Sequence, residues 1–107
     1  MSAPRKLGLL AVGTSVTTVH TVAYQQQDAL TQFDVCNTTA ASINLNVHII
    51  PSGGSAGTGN ALCYGVSIPA NGVWQWTGEL IMDAGTFIQA NASATGLTAH
   101  FTGRTNS

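Results

Sequence analysis

Residues 42–51 read SINLNVHIIP. Ile43, Leu45, Val47 and Ile49 alternate with Ser42, Asn44, Asn46 and His48, and Pro51 ends the run. A repeat of two puts every apolar side chain of an extended chain on one face. The segment is therefore a half-buried strand, with one face in a core and the other towards water.

The same repeat spreads in both directions. On the N-terminal side, residues 30–36 set Thr31, Phe33 and Val35 against Gln32 and Asp34, and residues 16–22 place Val16 and Val22 among threonines of high β-propensity. On the C-terminal side, Leu62, Tyr64, Val66 and Ile68 share one parity. Pro69 with the Asn71 and Gly72 pair then supplies a turn signal, so a hairpin-like connection into a strand at 73–76 is expected. Ile88, Ala90 and Ala92 alternate with Phe87, Gln89 and Asn91, and after a turn at Gly96, Leu97, Ala99 and Phe101 alternate with Thr98, His100 and Thr102. Residues 51–60, PSGGSAGTGN, contain four glycines and no bulky side chain, which predicts a flexible exposed loop. No Gly-Lys-Ser/Thr ending follows, so this is not a phosphate cradle.

Short strands divided by turn signals, with no amphipathic helix of useful length, predict an all-β fold. The expected form is an antiparallel β-sandwich, jelly-roll or Ig-like, of about seven or eight short strands. Several strand orders bury the same alternating residues, so the order is left open. The predicted plan is an N-terminal arm at 1–15, a single sandwich domain at 16–103 and a C-terminal tail at 104–107.

Composition narrows the function. At 107 residues one core is expected. Only 7% of the chain is charged, against roughly 25% in ordinary globular proteins. The 35 Ser, Thr, Asn and Gln residues instead supply neutral outer faces for the strands. A net charge of −1 provides little repulsion between molecules in solution, which suits a subunit of something larger. Between Asp34 and Glu79 lie 44 residues without an Asp, Glu, Lys or Arg. The basic side chains Arg5, Lys6 and Arg104 sit near the termini and form no stripe for phosphates, so no nucleic-acid partner is expected. Arg5 and Lys6 precede the apolar run 7–12, but that run is too short for an export signal and contains Gly8. No apolar run approaches the roughly 20 residues of a membrane span, so a soluble product with no membrane partner is expected.

The residues that carry chemistry point away from catalysis. No serine stands in a nucleophile elbow, and Glu79 and Asp83 flank an expected turn as solvated charges rather than as a converging acid pair. Cys36 and Cys63 lack metal-ligand spacing and read as two small half-buried thiols. A disulfide between them is the alternative, and the sequence cannot place their Cα atoms within bonding range. His20, His48 and His100 each take the polar parity of a strand, as surface or interface imidazoles. Trp74 and Trp76 share one face, buried in the core or under a neighbouring subunit; turned outward they would form an aromatic platform. Trp74, Trp76, His48 and His100 are thus the candidate interaction surface. No catalytic residue, metal ligand or cofactor is expected. The sequons at Asn37 and Asn91 are chance matches in a Thr-rich and Ser-rich chain.

Residues 18–103, about four fifths of the chain, resemble a family of small all-β bacteriophage virion structural proteins, described as head-associated, neck or tail proteins. The family pattern runs from a TxYTVP-like opening strand through VCNTS, PSGG and NALxY to a DAG turn. The matching pieces here are TVHTVA at 18–23, DVCNTT at 34–39, HIIPSGGSAG at 48–57, NALCYGVSIPANG at 60–72 and MDAGTFIQANASATGLTAHFTG at 82–103. QQQD at 25–28 replaces the usual glycine-containing turn, and Trp74 and Trp76 replace smaller residues. These motifs are strand and turn signatures rather than catalytic ones. The resemblance implies a virion component, assembled in the host cytoplasm, that decorates the head or builds part of the neck, collar or tail. Its expected partners are itself, as a homotrimer, and other virion proteins. The alternative is a receptor- or glycan-binding module of a tail fibre, reading a host-surface glycan through Trp74, Trp76 and the 51–60 loop.

Overall fold

The computed structural model describes residues 3–106. Eight strands form in chain order: β1 (Ala3–Val12), β2 (Thr17–Thr21), β3 (Gln27–Asn37), β4 (Ile43–Ile50), β5 (Ala61–Ile68), β6 (Val73–Asp83), β7 (Phe87–Ala92) and β8 (Leu97–Asn106). The described residues contain one 3-10 turn, Thr58–Asn60, and no helix long and apolar enough to cross a membrane. The strands make two four-stranded antiparallel sheets, ordered β1-β8-β3-β6 and β2-β7-β4-β5. Every connection except β4 to β5 passes from one sheet to the other. This is the wound order of a jelly roll, which settles the choice between that and an Ig-like sandwich.

The alternation seen in the sequence becomes the core. Phe33, Val35, Leu97, Ala99 and Phe101 from the first sheet face Ile43, Leu45, Val47, Ile68, Ile88 and Ala90 from the second, all buried. Phe33 and Phe101 stack with centroids 5.1 Å apart. Burying one such side chain is worth about 1.5–3 kcal/mol, so this layer is the main favourable term.

Four expectations change. Residues 3–12, assigned to an arm, form β1 and pair with β8, and β8 itself runs to Asn106 through the segment expected to be a tail. Gly8 obscured the alternation because a register shift falls between Lys6 and Gly8. The strand expected at 73–76 continues to Asp83, so Glu79 lies on a strand. The turn at Asn71 and Gly72 makes no hairpin, because β5 and β6 belong to different sheets. It is held across the sandwich: Asn71 N–H donates to Thr39 O, and Asn37 N–H donates to Gly72 O.

Two features fix how the chain enters this turn region and the bulged strands. Asn37 is buried, and its Nδ2 donates to Ala41 O at 2.8 Å and Ile68 O at 3.1 Å. Its Oδ1 accepts from Thr39 N at 2.9 Å and Thr39 Oγ1 at 2.7 Å. That explains the VCNTT motif as a clamp and leaves no free amide for a glycan. Gly103 lies beside the bulge at Thr31, where a Cβ would fall 2.0 Å from Ala29 O, so only glycine fits there.

Candidate functional site

Two regions stand out: an open flank of the sandwich and a cleft on the outer face of the second sheet. At the flank, β6 is an edge strand and β5 is the facing edge of the other sheet. The pairing Phe33 to Trp76 and Val35 to Trp74 turns both indoles inward. Phe33 meets Trp76 in a stacked arrangement at 5.7 Å and Trp74 in a tilted one at 5.6 Å. Both tryptophans remain half-buried, as do Leu62, Cys63 and Val66 of β5 and Leu80 of β6. Trp74 and Trp76 thus turn towards the core without being fully buried, and they form no outward platform.

On the outer face, the 51–60 segment does not stand free. His48 Nδ1 lies 3.1 Å from both Gly57 O and Asn60 Oδ1. Both partners are acceptors, so Nδ1 carries the proton. Asn60 also accepts from Gly57 N at 3.1 Å and donates to Ser55 O at 2.8 Å, which organises the loop over the strand. His48 is only 4% exposed as a result. Its parity was read correctly; the loop that covers it was not visible in the sequence.

Next to this loop β5 bulges. Tyr64 and Gly65 both stand opposite Asn46, Gly65 has φ of 67°, and its N–H donates to Asn46 Oδ1 at 2.7 Å. The bulge breaks the parity assigned to Leu62, Tyr64, Val66 and Ile68 and turns Tyr64 out to 62% exposure. Its ring meets the His48 ring edge-on at 6.4 Å. Asn91 of β7 pairs in register with Asn46, and its Oδ1 is buried with no hydrogen-bond partner among the described residues. Together Val16, Asn46, His48, Gly57, Thr58, Tyr64 and Asn91 border a cleft of about 240 Å³.

The remaining candidates are dispersed. His100 is exposed on the outer face of the first sheet, and His20 Nε2 lies 2.5 Å from the buried Asp28 Oδ2, joining the two sheets. The structure therefore separates His48 and His100, which were grouped as one interaction surface. Among the described residues no group of three His, Cys, Asp or Glu is placed to hold a metal. Cys36 and Cys63 are both free: Cys36 pairs with the exposed Val73, while Cys63 pairs with the buried Val47 and packs against the core. Burial pushes the Cys63 thiol up to about 11. Glu79 makes an exposed ion pair with Arg104 at 3.8 Å, and Asp83 accepts from Gln27 Nε2 at 3.1 Å. Sequence reasoning missed Asp28, Tyr64 and Asn91. The Tyr64 and Gly65 pair inside a strand was the one available signal, since glycine there marks a bulge.

No protein-family model matches this chain, and no curated protein matches it. Among solved structures, a chain in the structure of infectious bursal disease virus Gx strain is similar, with a TM-score of 0.57 at 8% identity over 98% of this chain and 31% of that one. This chain thus spans about a third of the length of that neighbour. At such low identity the likeness is one of fold: a two-sheet β-sandwich of the kind found within a virus structure.

Proposed function

We propose that this chain is a non-catalytic structural subunit of a bacteriophage particle, assembled in the host cytoplasm as a homotrimer on the head, neck, collar or tail. The observation that carries this reading is where the apolar surface lies. Among the exposed large apolar residues, Leu9, Val73 and Ile81 sit on the edge strands β1 and β6, and the half-buried Leu62 and Val66 line the edge strand β5. A free β6 edge of 11 residues whose only charges are Glu79 and Asp83 is a template for pairing or aggregation unless something covers it. Head-to-tail contact, with the β5/β6 flank of one copy against the β1/β2 flank of the next, covers both flanks and closes into a ring. The low charge of the chain, its resemblance to small phage virion proteins and the fold it shares with part of a virus structure support the same reading.

Native mass measurement on the purified chain tests it, together with the double substitution Val73→Asp and Ile81→Asp. A trimer that falls to a folded monomer on substitution is expected. A stable parent monomer that is absent from particles overturns the proposal.

A further inference from the structure

We propose that the cleft on the outer face of the second sheet binds one ring of a neutral sugar, with Tyr64 as its apolar wall and Asn91 as an acceptor for its hydroxyl groups. The volume of about 240 Å³ lies below the roughly 300–1,000 Å³ of pockets that enclose a drug-sized molecule, and suits a single ring. Asn91 Oδ1 is buried and unpartnered among the described residues, which is unfavourable until a donor reaches it. His48 Nδ1 is committed to Gly57 O and Asn60 Oδ1, so it holds the loop wall of the cleft and offers no free donor there. Asn91 Oδ1 needs a ligand that donates. No described residue of the lining is charged, so nothing there selects an anion and no carboxylate neutralises a cation.

A sugar ring matches this combination, with hydroxyl donors around its edge and a C–H face that packs on an aromatic ring. Tyr64 supplies that ring at 62% exposure. Its position is built rather than incidental: the Asn46 side chain caps Gly65 N–H and so holds the bulge that projects Tyr64. The loop that forms the opposite wall is held by the same His48 that lines the cleft. This site is independent of Trp74 and Trp76, which face inward, and it does not rest on the assembly reading, because a chain that stays monomeric keeps the cleft.

Amide NMR titration of the intact chain with the methyl glycosides of glucose, galactose and N-acetylglucosamine tests the proposal. Saturable shifts at Thr58, Tyr64, Gly65 and Asn91 are expected with at least one of them. Tyr64→Ala and Asn91→Ala should each weaken binding about tenfold, while Thr102→Ala, exposed on the other sheet, leaves it unchanged. Tyr64 is exposed, so its variant folds and gives a clear answer even if Asn91→Ala disturbs the strand. Failure of all three sugars to produce saturable shifts, or shifts that survive Tyr64→Ala, overturns the assignment. Tetramethylammonium is the control for a cation attracted to the same ring; shifts with it and not with the sugars also overturn it.

Discussion

Along the β1/β2 flank the two sheets meet and bury Leu7, Val12 and Val22, whereas along the β5/β6 flank Trp74, Trp76, Leu62 and Val66 stay half-exposed. The first flank is also tied by a polar bridge, since His20 reaches from β2 to the buried carboxylate of Asp28 on β3. At the second, Trp74 and Trp76 pack on Phe33 within their own sheet, and the tie between sheets is Asn37 Nδ2 of β3 donating to Ile68 O of β5. A flank sealed by its own side chains adds to the stability of the single chain. An open one leaves apolar surface whose burial waits for a neighbour. The difference separates folding from assembly within one small domain.

The largest expected effect is at the closed flank. His20→Ala leaves Asp28 buried without its partner and should destabilise the chain by about 3–5 kcal/mol in urea titration, the usual cost of breaking a buried pair. A loss below about 0.5 kcal/mol, typical of surface changes, would mean that the bridge does not hold the sheets together. Trp76→Ala comes next. A fully buried aromatic costs about 3–5 kcal/mol to truncate, so a half-buried one should cost the monomer about 2 kcal/mol while also lowering the native mass. If stability falls by the full amount and the mass does not change, the β5/β6 flank is core and not an interface.

The smallest effect sharpens the comparison on the open side. Cys63 is raised from 9.0 to about 11 by burial, so its neutral thiol fits the fold better than its thiolate. Its contribution to stability is present below pH 9.0 and is lost as pH rises towards about 11. Across that window the denaturation midpoint of the parent should fall relative to that of Cys63→Val, which has no thiol to ionise. A difference that does not vary with pH would place the thiol in water.

Much of the fold was legible because a period of two is local. Ile43, Leu45 and Val47 sit inward as their alternation requires, and Phe33, Val35, Leu97, Ala99 and Phe101 complete the facing layer. Legibility failed wherever the period slips. The shift between Lys6 and Gly8 hid β1, and the bulge at Tyr64 and Gly65 sent an apparent core tyrosine to the surface. The candidate cleft was harder still. Asn46, His48, Tyr64 and Asn91 come from three strands, and the orphan acceptor on Asn91 depends on what lies above it rather than on its neighbours in the chain.

The amino-acid order by itself determined that this protein is built from strands, which residues line most of its core, and that its surface carries few charges. Those properties depend on side chains a few positions apart. The tertiary structure alone decided that the strands wind as a jelly roll, that Trp74 and Trp76 turn towards Phe33, that His48 lies beneath the 51–60 loop and that one flank stays open. Each depends on which distant segments become neighbours, and several pairings would satisfy the same alternation equally well.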